Sequence, residues 1–329
     1  MNRNLYIISG VTGMTGSELA SQVLKEGHCV IGFDNFFASS IDTISMIVNN
    51  PDFYFFEFDL NNENQMNEIK LLVCDKQASF EQTIYINCAA VVHTEHFYEI
   101  DSTFRTNVLG MKSYLQQAID VKADIYINCS TSEVYSMQSW NENGGIKEND
   151  FILLATSEHS QRTSYAVGKL LTEFFIQDAV NKGLINGCSV RFANVYSKNE
   201  LYAKHIIPHI INCLKNGKEV VLLENSMKNK RTFLHNIDSC KAILALIDHK
   251  SALDGTVYNV ATDEEISIVD LVHLIASKLN ISDYQIIFNG FRASDPERRL
   301  LNTDKIRTRT NWKPIVSLSD GLDICIEIK

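Results

Sequence analysis

Tyr165-Ala166-Val167-Gly168-Lys169 places a phenol and an ammonium four residues apart, on one face of a helix. The ammonium favours the phenolate, which makes Tyr165 a general base for an alcohol proton such as that of a sugar hydroxyl. Upstream, Ser130-Thr131-Ser132-Glu133-Val134-Tyr135 follows an apolar run. Thr131 can share a hydrogen bond with a substrate hydroxyl, and Glu133 brings a carboxylate beside it. Near the N-terminus, Gly10-Val11-Thr12-Gly13-Met14-Thr15-Gly16 has the spacing GxxGxxG between an apolar run and a helical pattern. Glycines there let the backbone turn tightly and approach a pyrophosphate, and the following helix offers free N–H groups and a positive dipole end.

These groups need elements to carry them. Short apolar runs recur at Leu5–Ile8, Cys29–Phe33, Phe53–Phe58, Thr83–Asn87 and Ile125–Cys129. Helical patterns fit between them, through Leu19, Val23 and Leu24, then Asn62–Leu72 and Phe104–Asp120. Strands alternating with helices predict an α/β fold, a doubly wound, Rossmann-like parallel sheet. Past about residue 195 the pattern turns irregular, with helices at His205–Asn216, Ile237–His249 and Ile268–Leu279 and strands at Val220–Leu222 and Val257–Val260. A cofactor domain is expected over 1–194, completed by about 232–260, and a smaller mixed substrate lobe mainly over 195–329. In such a sheet ligands lie at the carboxyl ends of the strands. Asp34, ending the second run, then suits a ribose and repels a 2′-phosphate, which favours NAD over NADP. Candidate cofactor contacts are Gly10, Gly13, Met14, Thr15, Gly16, Asp34, Asn35, Asp59, Leu60, Ala89, Ala90, Tyr165 and Lys169. Asp59 suits either a cap or the adenine edge, and Ala89 and Ala90 are small enough to let a cofactor lie against the backbone.

Taken in order, the glycine turn, Asp34, Thr131 and the Tyr165/Lys169 pair resemble the extended short-chain dehydrogenase/reductase family, and within it the nucleotide-sugar epimerases and dehydratases. The resemblance runs on through Arg191-Phe192-Ala193-Asn194-Val195-Tyr196, Arg231-Thr232-Phe233-Leu234-His235, Tyr258-Asn259-Val260, Asp295-Pro296-Glu297-Arg298-Arg299 and Trp312-Lys313-Pro314, essentially the whole chain. It implies that Tyr165 removes the proton of the sugar 4-hydroxyl while hydride passes from C4 to NAD, that Lys169 holds the nicotinamide ribose and tunes Tyr165, and that Thr131 orients the hydroxyl. Thr131, Glu133, Tyr165 and Lys169 are thus the catalytic candidates. Thr131, Ser132, Asn194, Arg231 and Arg299 are the candidates for binding a nucleotide-diphosphate sugar. Independently of the resemblance, an arginine's bidentate, always-charged fork suits phosphate better than a lysine does.

Within the family, a glutamate at the position of Glu133 removes the C5 proton in 4,6-dehydratases, and that reaction is the expectation. Some dehydratases carry an aspartate where this chain has Ser132; others share the Thr-Ser-Glu triplet, as do UDP-glucuronate decarboxylases. A 4-epimerase, such a decarboxylase and a stand-alone 4-dehydrogenase are the alternatives, with a non-catalytic NAD-binding sensor more remote. Two departures fall beside the pocket: Ser136 replaces a usual glycine, and Ser197-Lys198 replaces Gly-Pro.

The net charge of −10 argues against a general nucleic-acid binder. No stretch is long and apolar enough to span a membrane, and Met1-Asn2-Arg3-Asn4 runs into an apolar run with no cleavage-site pattern, so no leader is expected. Eight scattered cysteines, without CxxC pairs or histidines at ligand spacing, suggest a reduced cytoplasmic protein and no metal. His93, His96, His159, His205 and His209 are read as structural or exposed. Apolar residues beyond one face of Phe104–Asp120 and Tyr165–Lys182, including Leu109, Tyr114, Leu115, Leu171, Phe174 and Phe175, together with the resemblance, imply a homodimer.

Overall fold

A computed structural model describes residues 3–93, 99–136, 144–154, 163–292 and 295–326. Strand β1 (Leu5–Ser9) is wholly buried: parallel strands pair with both its edges, and apolar layers cover both its faces. Helix α1 (Met14–Lys25) follows, then β2 (Cys29–Asp34), β3 (Phe53–Glu57), α2 (Glu63–Lys76) and β4 (Thr83–Asn87). Next come α3 (Ile100–Phe104), a π-helical segment over Arg105–Gly110, α4 (Met111–Asp120), β5 (Ile125–Thr131), α5 (Thr163–Asn181) and β6 (Asn186–Phe192). Later strands are β7 (Val195–Tyr196), β8 (Val220–Leu222), β9 (Lys230–Thr232), β10 (Leu234–His235), β11 (Asp254–Val260), β12 (Glu265–Ser267) and β13 (Ile286–Phe288). Later helices are α6 (Ile206–Lys215), α7 (Asn236–Asp248), α8 (Ile268–Lys278), α9 (Asp304–Thr310) and α10 (Leu318–Ile326).

Seven strands form one parallel sheet in the order β11-β6-β5-β4-β1-β2-β3. The order reverses between β1 and β4, the switch point where such sheets open a ligand crevice. Register aligns the carboxyl ends: Ser9 lies opposite Phe33 and Asn87, Asn87 opposite Asn128, and Thr131 opposite Phe192. Gly10, Asp34, Ala89 and Ser132 therefore leave the sheet along one edge.

Two apolar layers hold the sheet. Leu19 and Val23 of α1 and Ile243 and Leu246 of α7 pack with Ile8, Ile84, Ile127 and Tyr258 on one face. Ile69, Val73, Tyr114, Leu115 and Ile176 pack with Ile7, Ile31, Tyr85 and Tyr126 on the other. A separate cluster around Ile210, Leu214, Leu222, Leu271, Ile275 and Leu322 forms the core of a smaller lobe with two-stranded sheets. Residues far along the chain return to the first core: β11 is its edge strand, and Ile306 and Trp312 pack into it.

Two local departures from the expected pattern have physical reasons. Strand β6 carries Ser189 and Arg191, which mask its apolar character; both are buried and bonded, to Asn128 and to Glu173. The expected helix Phe104–Asp120 is interrupted by the π-helical turn. Asn107 lies in that turn, accepts from Val91 N–H at 2.7 Å and donates to Val91 C=O at 3.1 Å. Such turns often redirect a side chain at a functional site.

His235 caps α7, its Nδ1 accepting from Ile237 N–H at 3.3 Å. Burial, the largest influence on it, pulls its pKa below 6.5, so the imidazole is neutral. As pH falls below 6.5 the unfolded chain takes up a proton that folded His235 resists, and stability declines. Thermal unfolding followed from about pH 8 to about pH 5.5 should show Tm falling, and His235→Asn, which keeps a cap, should flatten that fall.

Candidate active site

Where the sheet's carboxyl edge meets the smaller lobe lies a cleft of about 1130 Å³. The turn from β1 to α1 forms its floor. Gly10 has φ +68°, and a Cβ there would stand 2.7 Å from Ala89 N. A Cβ on Gly16 would stand 2.2 Å from Gly10 O, so β1, α1 and the end of β4 meet backbone to backbone. Gly13 differs, with φ −69° and only Gly10 O, at 3.2 Å, near a Cβ position. It caps α1 without a side-chain hydrogen bond, and no acid occupies the first turn. The N–H groups of Met14, Thr15 and Gly16 thus border the cleft with a positive dipole end uncompensated. That cradle fits a pyrophosphate. From the second half of the chain, Asn236 Nδ2 donates to Met14 O at 3.2 Å and Cys240 Sγ to Thr15 O at 3.4 Å, clamping α7 onto this turn.

Asp34 ends β2 at the cleft. Its Oδ1 accepts from Phe36 N–H at 2.9 Å and Ser39 Oγ at 3.1 Å, and its Oδ2 from Thr12 N–H at 3.2 Å. Asn35 Nδ2 donates to Asp59 Oδ2 at 3.1 Å. Asp59 Oδ1 accepts from Asn61 N–H at 2.7 Å, so this carboxylate organises its own turn while lining the cleft; Asn62 caps α2 instead. Leu60, Ala89 and Ala90 complete that wall.

Opposite, Thr131 ends β5 and its Oγ1 accepts from Glu133 N–H at 3.2 Å, opening a short 3₁₀ turn over Ser132–Tyr135. Ser132 is buried, and Ser132 and Glu133 both line the cleft. Tyr165 and Lys169 face it from α5. Lys169 Nζ donates to Cys129 C=O at 2.8 Å, and burial, its dominant influence, lowers its pKa. All four catalytic candidates therefore line one cavity with the glycine turn and Asp34.

The phosphate candidates come from the smaller lobe's side, the two arginines already engaged with carboxylates. Arg299 Nη1 lies 2.8 Å from Glu133 Oε1 and its Nη2 donates to Ser136 C=O at 3.0 Å. Its buried Nε has no hydrogen-bond partner among the described residues, a costly state that a ligand oxygen or water would relieve. Arg231 Nη2 binds Asp295 Oδ1 at 2.8 Å. Asn194 has φ +35° and donates to Thr232 C=O at 2.9 Å. Ser136, where the sequence departs from the family's usual glycine, has φ +45° and ψ −112°, a conformation that favours glycine. Its carbonyl is the one Arg299 holds.

No sequence pattern marks Ser39 or Asn107, and Asp295 stood out only as part of a motif. Asp295 takes its role from Arg231, 64 residues away, whereas Ser39 meets Asp34 five residues away and Thr12 Oγ1 at 2.7 Å. His93, His205 and His209, read as structural or exposed, all line the cleft; His93 stacks on Tyr202 at 3.9 Å, and His205 meets Glu200 at 3.0 Å. His96 and His159 lie outside the described residues. Among the described residues no His/Cys/Asp/Glu group is arranged to hold a metal, and no helix is long and apolar enough to cross a membrane.

Gly13 separates cofactor binding from folding. Gly13→Ala should lower the Tm of the cofactor-free protein only slightly: its φ suits alanine, and the Gly10 carbonyl, 3.2 Å from the added Cβ, must give by a few tenths of an ångström. It should weaken NAD binding by about tenfold or more, ~1.4 kcal/mol, because the methyl group enters the cradle; titration calorimetry checks this.

A sequence model of the NAD dependent epimerase/dehydratase family matches residues 6–261. Human dTDP-D-glucose 4,6-dehydratase is 23% identical, over 98% of this chain and 88% of that protein. UDP-N-acetyl-alpha-D-glucosaminuronate decarboxylase of Bacillus cytotoxicus is 26% identical, over 98% and 96%. The crystal structure of UDP-glucuronic acid 4-epimerase from Bacillus cereus, in complex with UDP-glucuronic acid and NAD, superposes with a TM-score of 0.85 at 21% identity, covering 98% of both chains. With the glycine turn and Asp34 lining one cleft and the family match spanning most of the chain, the protein belongs to the NAD dependent epimerase/dehydratase family, and its cofactor is NAD.

Proposed function

We propose that this enzyme oxidises a nucleotide-diphosphate sugar at C4 and then eliminates water across C5 and C6, as a 4,6-dehydratase. The observation that carries this reading is Glu133, a carboxylate lining the cleft with Tyr165 and Thr131 and fixed by Arg299 at 2.8 Å. Tyr165 accepts the proton of the 4-hydroxyl, with the Lys169 ammonium one helical turn away favouring the phenolate. Thr131 Oγ1 already accepts from Glu133 N–H, which leaves its own proton to donate to the sugar oxygen. Bound NAD would supply the acceptor for the C4 hydride and its return to C6, so no outside oxidant would be consumed; C5 regains a proton from solvent through Glu133, and Tyr165 releases to solvent the proton it accepted.

The C4 ketone acidifies the C5 proton, and Glu133 removes it. Ser132 supplies a hydroxyl and no acid, so the proton gained by Glu133 is the one that leaves with the C6 hydroxyl as water. Asn194, Arg231 and Arg299 hold the diphosphate, which competes with Asp295 for the Arg231 fork. The cofactor domain is residues 1–194 completed by about 232–260; the remainder of 195–329 mainly binds substrate.

Decarboxylation of a uronic acid nucleotide is the second reading. Ser132 in place of an acid favours it, as does the unpartnered Arg299 Nε, which suits a substrate carboxylate. The exposed Leu109, Leu171 and Phe174 support a homodimer through α5 and the π-helical segment, although Tyr114 and Leu115 are buried in the protomer's own core. Light scattering that returns the mass of one chain would exclude that dimer. Eight free thiols suit a reducing, cytoplasmic setting.

Incubating a panel of nucleotide sugars and weighing the products decides among the reactions. Loss of one water supports dehydration, whereas loss of carbon dioxide, or a product of unchanged mass and inverted C4, contradicts it. Tyr165→Phe should lower kcat by about 10²–10⁴-fold while NAD still binds. Glu133→Gln should stop at the 4-keto sugar without losing water. Unchanged turnover in Tyr165→Phe would leave a non-catalytic or differently acting site.

A further inference from the structure

Beneath the cleft, a set of buried polar side chains has no part in the steps above. Arg191 on β6 and Glu173 on α5 are each 4% exposed. Arg191 Nε donates to Glu173 Oε1 at 2.9 Å and Nη2 to Oε2 at 2.6 Å, a bidentate fork. Glu173 Oε1 also accepts from Ser130 Oγ at 2.5 Å. On its other side, Arg191 Nη1 donates to Tyr135 Oη at 2.9 Å, and Tyr135 donates to Asn259 Oδ1 at 2.7 Å. Asn259 Nδ2 donates in turn to Ile146 C=O at 2.9 Å and Asn302 C=O at 3.0 Å.

Each contact stands next to a residue of the site. Ser130 precedes Thr131; Tyr135 lies in the same short turn as Glu133; Glu173 lies one helical turn beyond Lys169; Asn302 lies three residues past Arg299. A buried ion pair is expensive, and apolar residues of similar volume pack an interior at least as well. What a fork contributes that apolar packing does not is a fixed distance and angle between the elements it joins.

We infer that Glu173 and Arg191, extended by Tyr135 and Asn259, are positioning residues. They set how the helix bearing Tyr165 and Lys169 stands against the strand end bearing Thr131 and the turn bearing Glu133. The inference rests on the proposed reaction only for its kinetic consequence; its structural content stands alone. Catalysis depends on placement to a fraction of an ångström, so loosening the pair reduces kcat more than it affects binding.

The test uses the full chain with NAD added and three variants, Glu173→Gln, Arg191→Lys and Tyr135→Phe. The third keeps the ion pair and its fold should persist, whereas either of the others can misfold. Amide hydrogen exchange is read over 130–136 and 163–173, beside the NAD Kd and, for a sugar nucleotide that the wild type turns over, kcat and KM. Exchange in those two segments should rise about tenfold or more, with the rest of the sheet and the NAD Kd unchanged. In parallel, kcat should fall about tenfold or more at constant KM. Unaltered exchange in both segments of Tyr135→Phe, or a rise spread evenly over the protein, overturns the inference, as does a loss confined to KM. A wild type that converts no sugar nucleotide refutes the proposed reaction instead, and exchange still decides the positioning role.

Discussion

Everything in the cleft depends on how closely three backbones approach one another. Gly10 passes the end of β4, and Gly16 passes the carbonyl of Gly10, at distances that leave no room for a side chain. That contact lets α1 begin directly at the sheet's carboxyl edge, so its first-turn N–H groups meet the ligand crevice. Register across the sheet then places Asp34 on one side of the turn and Thr131 on the other. Gly10 and Gly16 close this contact, whereas Gly13 leaves an opening toward the cleft.

The catalytic side is built by a different force. Lys169 is held on Cys129 C=O, and Asn128 Nδ2 donates to Thr172 Oγ1 at 2.9 Å, tying α5 to β5 beside the buried pair of Glu173 and Arg191. Directional polar contacts, added to the apolar packing of Ile176 against the sheet, join the elements that carry the catalytic candidates. Ser136 continues the theme: a backbone conformation suited to glycine is held by serine, and its carbonyl anchors the arginine that fixes Glu133.

Local patterns made the first strands, the glycine turn and the Tyr165/Lys169 pair readable in the sequence, because each is specified by neighbours a few residues apart. Partners brought together from opposite ends of the chain were not readable. Arg231 and Arg299 were recognisable as phosphate-binding types, yet only folding shows that each already meets a carboxylate. Strand β6 looked polar because Arg191's partner lies on another element, although Glu173, four residues past Lys169 on the same helix, was a signal of a buried cation nearby. The net charge of −10 is that of the whole chain, while a helix N-terminus and the guanidinium groups of Arg231 and Arg299 line the cleft.

The central claim is that hydride leaves C4 and that the sugar then loses water from C6. A nucleotide sugar deuterated at C4, converted by the enzyme and examined by NMR, tests it most directly. The deuterium should disappear from C4 and reappear at C6 of the dehydrated product. Deuterium still at C4 of the product would contradict it.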